Sequence, residues 1–177
     1  NTTENAHPHV VGDITLVHNG TLREYSKLPK MKDFDVDSCA LANAIQVMGI
    51  EEAIANTHGA YAIVYYNKQD KTLNFLRNNE RPLCIAVDTG MNKLYFASET
   101  RMLEWVLVRN GVNLTKDVEI SMLPEDTLLT FDQDHIIPQI RKIKGPKIAT
   151  SWKQQSWMES AASEFVDHFL DVPGGNY

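Results

Sequence analysis

Residues 59–66 read Gly-Ala-Tyr-Ala-Ile-Val-Tyr-Tyr, an almost wholly apolar run between polar neighbours. A run this short reads as a strand covered on both faces rather than as a helix or a half-exposed strand. Other elements must therefore lie over each side of it. The segments around it supply candidates. Residues 67–71 form a polar turn and residues 72–77 return as a strand. Residues 82–87 and 93–97 read as two more strands about the turn at 88–90, and residues 127–132 and 136–143 as a last hairpin around Gln133-Asp134. Near the start, residues 10–17 read as one strand ending in the polar group His18-Asn19-Gly20.

The helices carry end signals. Asp37-Ser38 can cap a helix from residue 39 to about 48, with Leu41, Ala44, Ile45 and Met48 at helical spacing and Gly49 as its stop. Residues 51–56 are a short second helix, and Ser98 caps a third over 99–109 that stops near Asn110-Gly111. Residues 22–35 are polar, contain Pro29 and read as loop with about one turn of helix. Helices and strands do not alternate as βαβ units, so the pattern indicates an α+β fold of antiparallel sheets with helices on the outer faces. The composition shifts at Lys144-Gly145-Pro146-Lys147. Residues 1–143 then form one domain. Residues 144–177 form a linker and an amphipathic helix over 159–170.

At 177 residues the chain can bury a substantial core. Its 17 Lys and Arg against 23 Asp and Glu give a net charge of −6, which offers no basic excess for phosphates and argues against nucleic-acid binding. No apolar run approaches the roughly 20 residues that span a bilayer. Cys39 and Cys84 are the only cysteines and make no disulfide framework, so reduced thiols and a cytoplasmic setting are expected. Cys39 falls in the first turn of a helix, where a thiolate is favoured. Cys84 lies in an apolar strand and reads as buried and inert. His7, His9 and His18 leave a zinc reading open, although no cysteine or acidic residue falls in register with them. Taken alone, Asn19-Gly20 is also a strong signal for a tight hairpin turn.

Five segments in order resemble one family. They are Asn5-Ala6-His7-Pro8, His18-Asn19-Gly20, Val36-Asp37-Ser38, Gly59-Ala60-Tyr61-Ala62 with Arg77 to Leu83, and Phe96-Ala97-Ser98-Glu99. Their order is similar to that of class II glutamine amidotransferases, the amino-terminal-nucleophile type, and the pattern is nearest to the glutaminase domain of glucosamine-6-phosphate synthase. The similarity covers about residues 5–132. It implies an αββα four-layer sandwich of two antiparallel sheets, with the first strands upstream of the present Asn1. It also implies a partial amidotransferase domain over residues 1–143.

The resemblance implies chemistry as well. In this family an amino-terminal cysteine attacks the glutamine side-chain amide, with its own α-amino group as base. The asparagine amide and the adjacent glycine N–H hold the oxyanion, and here these are Asn19 and Gly20. Asp37 matches the residue that binds the substrate α-amino group, a role that can coexist with helix capping. His7 matches the histidine beside the glutamine pocket. The family site needs no metal and no cofactor. The family's cysteine and its carboxylate-binding loop lie upstream of Asn5-Ala6-His7-Pro8, so they are expected on a preceding segment or a bound companion. Glutamine is then the substrate, and a synthase or ligase partner takes the ammonia. The alternative is an inactive module of the same fold that docks through Trp152, Trp157 and the helix at 159–170.

Overall fold

The computed structural model describes residues 6–88, 90–114, 118–143 and 145. The expected linker and carboxy-terminal helix lie almost wholly outside these residues. Among the described residues nine strands fall into two antiparallel sheets. The larger has the order β1-β2-β3-β4-β8-β9, with β1 His9–Val11, β2 Ile14–Glu24, β3 His58–Asn67, β4 Thr72–Arg77, β8 Thr127–Phe131 and β9 Gln139–Lys142. The smaller has the order β6-β5-β7, with β5 Cys84–Asp88, β6 Lys93–Ala97 and β7 Ile120–Met122. Helix α1, Asp37–Ala55, packs on β1 and β2; helix α2, Thr100–Arg109, packs on β6 and β7.

The apolar segment at 59–66 explains the layering. In β3, Tyr61, Ile63 and Tyr65 face α1 and join Leu16, Leu41 and Ile54 in one core. Ala62 and Val64 point the other way, towards Phe96 of the smaller sheet. Both faces of the strand are thus covered, as its composition demands. Phe75 of β4 is fully buried between the sheets, with its ring edge-on to Phe96 at 5.3 Å and to Phe131 at 5.7 Å. On the far side, Leu103 and Leu107 of α2 cover Cys84 and Ala86. The molecule is an α+β sandwich in the order helix, sheet, sheet, helix. Each large apolar side chain enclosed this way contributes roughly 1.5–3 kcal/mol.

Three expectations change. The strand read over residues 10–17 is a hairpin: β1 and β2 meet at a two-residue turn, Gly12-Asp13, where Val11 pairs with Ile14 and the Asp13 N–H donates to Gln46 Oε1 at 2.6 Å. His18-Asn19-Gly20 is neither a strand end nor a hairpin turn. It lies in the middle of β2, paired with Ile63, Ala62 and Tyr61, because the long β3 offers backbone partners well past Val17. The strand then runs on to Glu24, into the stretch read as loop, which retains only one short 3-10 turn, Met31–Asp33. Gly49, at φ 81 and ψ 164, breaks the helix where its stop was expected, and the short second helix follows it within α1. The strand β7, Ile120–Met122, has no sequence signal; its ladder to β5 and the packing of α2 hold it.

Candidate functional site

Strand alternation sorts the central residues of β2 to opposite faces. Asn19 is exposed and points into a cleft of about 220 Å³ between the two sheets. His7, Ala62, Pro82, Phe96 and Ser98 line the same cleft. His7 is tied there by main chain, since the His18 N–H donates to its Nε2 at 3.3 Å. The cleft combines an apolar floor with an amide, an imidazole and a hydroxyl at its rim, which suits a small amide-bearing ligand.

His18 faces α1 instead and is buried. Its Nδ1 lies 3.0 Å from Ser38 Oγ and its Nε2 3.4 Å from Ala60 O. Ala60 O can only accept, so Nε2 carries the proton and Nδ1 accepts from the Ser38 hydroxyl. Burial pushes the His18 pKa below its ordinary value, while the nearby Asp37 charge and the Ala60 carbonyl oppose the shift. A neutral imidazole results at neutral pH.

Asp37 opens α1. Its Oδ2 accepts the Leu22 N–H at 2.7 Å and its Oδ1 the Ser38 N–H at 2.8 Å. Those bonds tie the helix N-terminus to β2 and leave acceptor capacity on both oxygens. Asp37 does not line the cleft that holds Asn19 and His7. The structure therefore brings His7 and Asn19 together, and joins Asp37 to them only through β2.

Gly20 is required by contact. Its φ is 155°, and a Cβ here would lie 1.9 Å from Ala60 O and 2.7 Å from His18 Nε2. Only glycine lets β2 and β3 approach so closely beside Asn19.

Cys39 departs from expectation. Its Sγ is 3.2 Å from His9 Nδ1, and its pKa is raised, first by burial and then by the charges of Asp35 and Asp37. Helix position favours a thiolate, but two nearby carboxylates and a partly desolvated thiol outweigh it. His9 is likewise held neutral, chiefly by burial and next by His7, with which it stacks edge-on at 4.6 Å. Among the described residues no group of three or more His, Cys, Asp or Glu side chains is placed to hold a metal ion. Cys84 is fully buried, with Sγ 3.1 Å from Thr100 Oγ1.

Sequence reasoning missed two parts of the site. Asn78 is buried and fixes the loop that carries Pro82 and Leu83 to the cleft. Its Oδ1 accepts the N–H groups of Tyr61 and Glu80, both at 3.1 Å, and its Nδ2 donates to Gly59 O at 2.7 Å. The other is the Ser38–His18 bond, which joins residues 20 positions apart that no local signal connects.

A family described as "Glutamine amidotransferase domain" matches residues 2–104. The glutamine–fructose-6-phosphate aminotransferase (isomerizing) of Staphylococcus epidermidis is 29% identical over 153 residues, which cover 77% of this chain and 25% of the relative. The chain thus spans about a quarter of the length of that relative. Among solved structures, the glutamine phosphoribosylpyrophosphate amidotransferase of B. subtilis superposes with a TM-score of 0.60 at 19% identity, covering 81% of this chain and 33% of that one. A glutamine aminotransferase class-II domain protein from Silicibacter pomeroyi gives 0.54 at 12% identity, over 82% of this chain and 74% of that one. With the matched span holding β1 to β6, both walls of the cleft and its Asn19, the chain belongs to the glutamine amidotransferase domain family, in its class II, amino-terminal-nucleophile form.

Proposed function

We propose that this chain is the glutaminase portion of an amidotransferase, which hydrolyses the side-chain amide of glutamine to glutamate and ammonia for a separate acceptor. The observation that carries this reading is the exposed Asn19 amide in the inter-sheet cleft beside His7. Asn19 and the Gly20 N–H stabilise the oxyanion of the tetrahedral intermediate, as preorganised neutral donors. His7 shapes the pocket for the amide. Asp37 holds the substrate α-ammonium group through its open lone pairs. The nucleophile is the thiolate of an amino-terminal cysteine supplied with the rest of the gene product; Cys39 and Cys84 do not serve, one held protonated by burial and negative charge and the other buried. A synthase or ligase partner takes the ammonia, consistent with the much greater length of the aminotransferase relative. The two free cysteines support a reducing, cytoplasmic setting.

The test is glutamate release from glutamine by the full-length gene product, with its amino terminus sequenced. Asn19→Ala should lower kcat by about 10²–10³ with a much smaller change in KM. Glutamine hydrolysis that survives Asn19→Ala at the wild-type rate overturns the assignment of Asn19. Glutamine binding without any hydrolysis turns the reading towards a binding module.

A further inference from the structure

We infer that Ser38 is a positioning residue, which through His18 locks the helix end bearing Asp37 to the strand bearing Asn19 and Gly20. The inference rests on the glutaminase reading above.

The geometry places His18 at a junction. Its backbone N–H holds His7, its neighbour Asn19 enters the cleft, and its ring spans from Ser38 on α1 to Ala60 on β3. Ser38 and His18 are both buried, so water does not replace a lost partner without cost. The ring also backs on to the space beside Gly20, where a Cβ would meet Nε2 at 2.7 Å. Rotation of the imidazole would therefore press on the strand segment carrying the oxyanion donors.

The Ser38 hydroxyl has one proton and two acceptors in reach, His18 Nδ1 at 3.0 Å and Asp37 Oδ1 at 3.3 Å. Because Ala60 O fixes the proton of His18 on Nε2, the hydroxyl proton goes to Nδ1. Asp37 Oδ1 then keeps only the Ser38 N–H as a donor and remains open to a cation. One hydroxyl thus orients the ring behind Asn19 and Gly20, and in doing so leaves the Asp37 carboxylate unoccupied by its proton. Alanine would orphan Nδ1 and free the ring, whereas threonine retains the hydroxyl.

The experiment compares wild type, Ser38→Ala and Ser38→Thr in the full-length gene product. It measures glutamine hydrolysis and reads the His18 tautomer by ¹⁵N NMR of the imidazole. Ser38→Ala should lower kcat about tenfold, the scale of one buried hydrogen bond, with KM moving less than twofold. Ser38→Thr should restore kcat to within about twofold of wild type. The wild-type and threonine proteins should show the Nε2–H tautomer, and the alanine protein a mixture. Wild-type kcat in Ser38→Ala, or an Nδ1–H tautomer in wild type, overturns the inference. The tautomer measurement on wild type stands even where the alanine variant does not fold. Loss of activity in Asn19→Ala alongside a fully active Ser38→Ala removes this inference and leaves the glutaminase reading intact. Absence of glutamine hydrolysis in the wild-type protein removes that reading instead.

Discussion

At the scale of single residues, the site depends on side chains kept neutral. His18 and His9 have pKa values lowered by burial. In the unfolded chain each titrates near its ordinary value of 6.5. Below that pH the unfolded state binds more protons than the folded one, so stability falls as the solution is acidified. Above it both states are neutral at these positions and the contribution is constant. Denaturant unfolding between pH 5 and about 7 should show this decline, with a slope of at most about 1.4 kcal/mol per pH unit for each histidine. His18→Gln should flatten it; an unchanged slope in that variant would show that His18 is not among the groups responsible. The same scale shows why some site residues are readable and others not. Asn19 and Gly20 stand in a short recognisable string, whereas the three hydrogen bonds of Asn78 join it to Gly59, Tyr61 and Glu80 across two elements.

At the scale of elements, β2 and α1 bring the polar groups together. Strand alternation sends Asn19 to the cleft and His18 to the helix, and the Asp37 carboxylate fastens the helix start to Leu22. Gly49, at φ 81 and ψ 164, kinks α1 between its two helical parts, in a backbone region open essentially to glycine alone. Space around that residue is open, with no atom within 4 Å of a built Cβ. The cost of a side chain there is thus backbone strain and not collision. Gly49→Ala should destabilise the fold by about 1–3 kcal/mol in urea unfolding, while leaving glutamine hydrolysis at 25 °C unchanged. A neutral or stabilising substitution would indicate that the helix can run straight through this point. The signal for a stop at Gly49 was local and legible. The second helix after it was legible too, and burial of Ile50, Ala53 and Ile54 holds it in place.

At the scale of the whole molecule, the cleft exists because two sheets are held apart and together by a shared aromatic cluster. Phe75 is enclosed between Phe96 and Phe131, and Phe96 also lines the cleft. Phe75→Ala should cost about 3–5 kcal/mol, the range for large-to-small changes at a fully buried aromatic. It should also raise KM for glutamine, since Phe96 loses its edge-on partner. Phe75→Leu should recover most of the stability; thermal unfolding beside steady-state kinetics separates the two effects. If stability falls and KM holds, the inter-sheet packing and the pocket are independent. Among the described residues no helix is long and apolar enough to cross a membrane.

The sequence by itself determined the α+β class, the covered strand at 59–66, most element positions, and the short strings that place Asn19, Gly20, His7 and Asp37 together in one family. These are properties of local composition, spacing and capping, which act within a few residues. Only the tertiary structure decided that His18-Asn19-Gly20 lies mid-strand, that β1 and β2 form a hairpin, that Cys39 is held as a thiol, and that Ser38 meets His18. Each of those outcomes depends on a partner distant in the chain: the length of β3, the carboxylates near Cys39, or the seating of α1 on β2. Pairing and desolvation are set by what surrounds a residue in space, and a linear pattern does not contain that information.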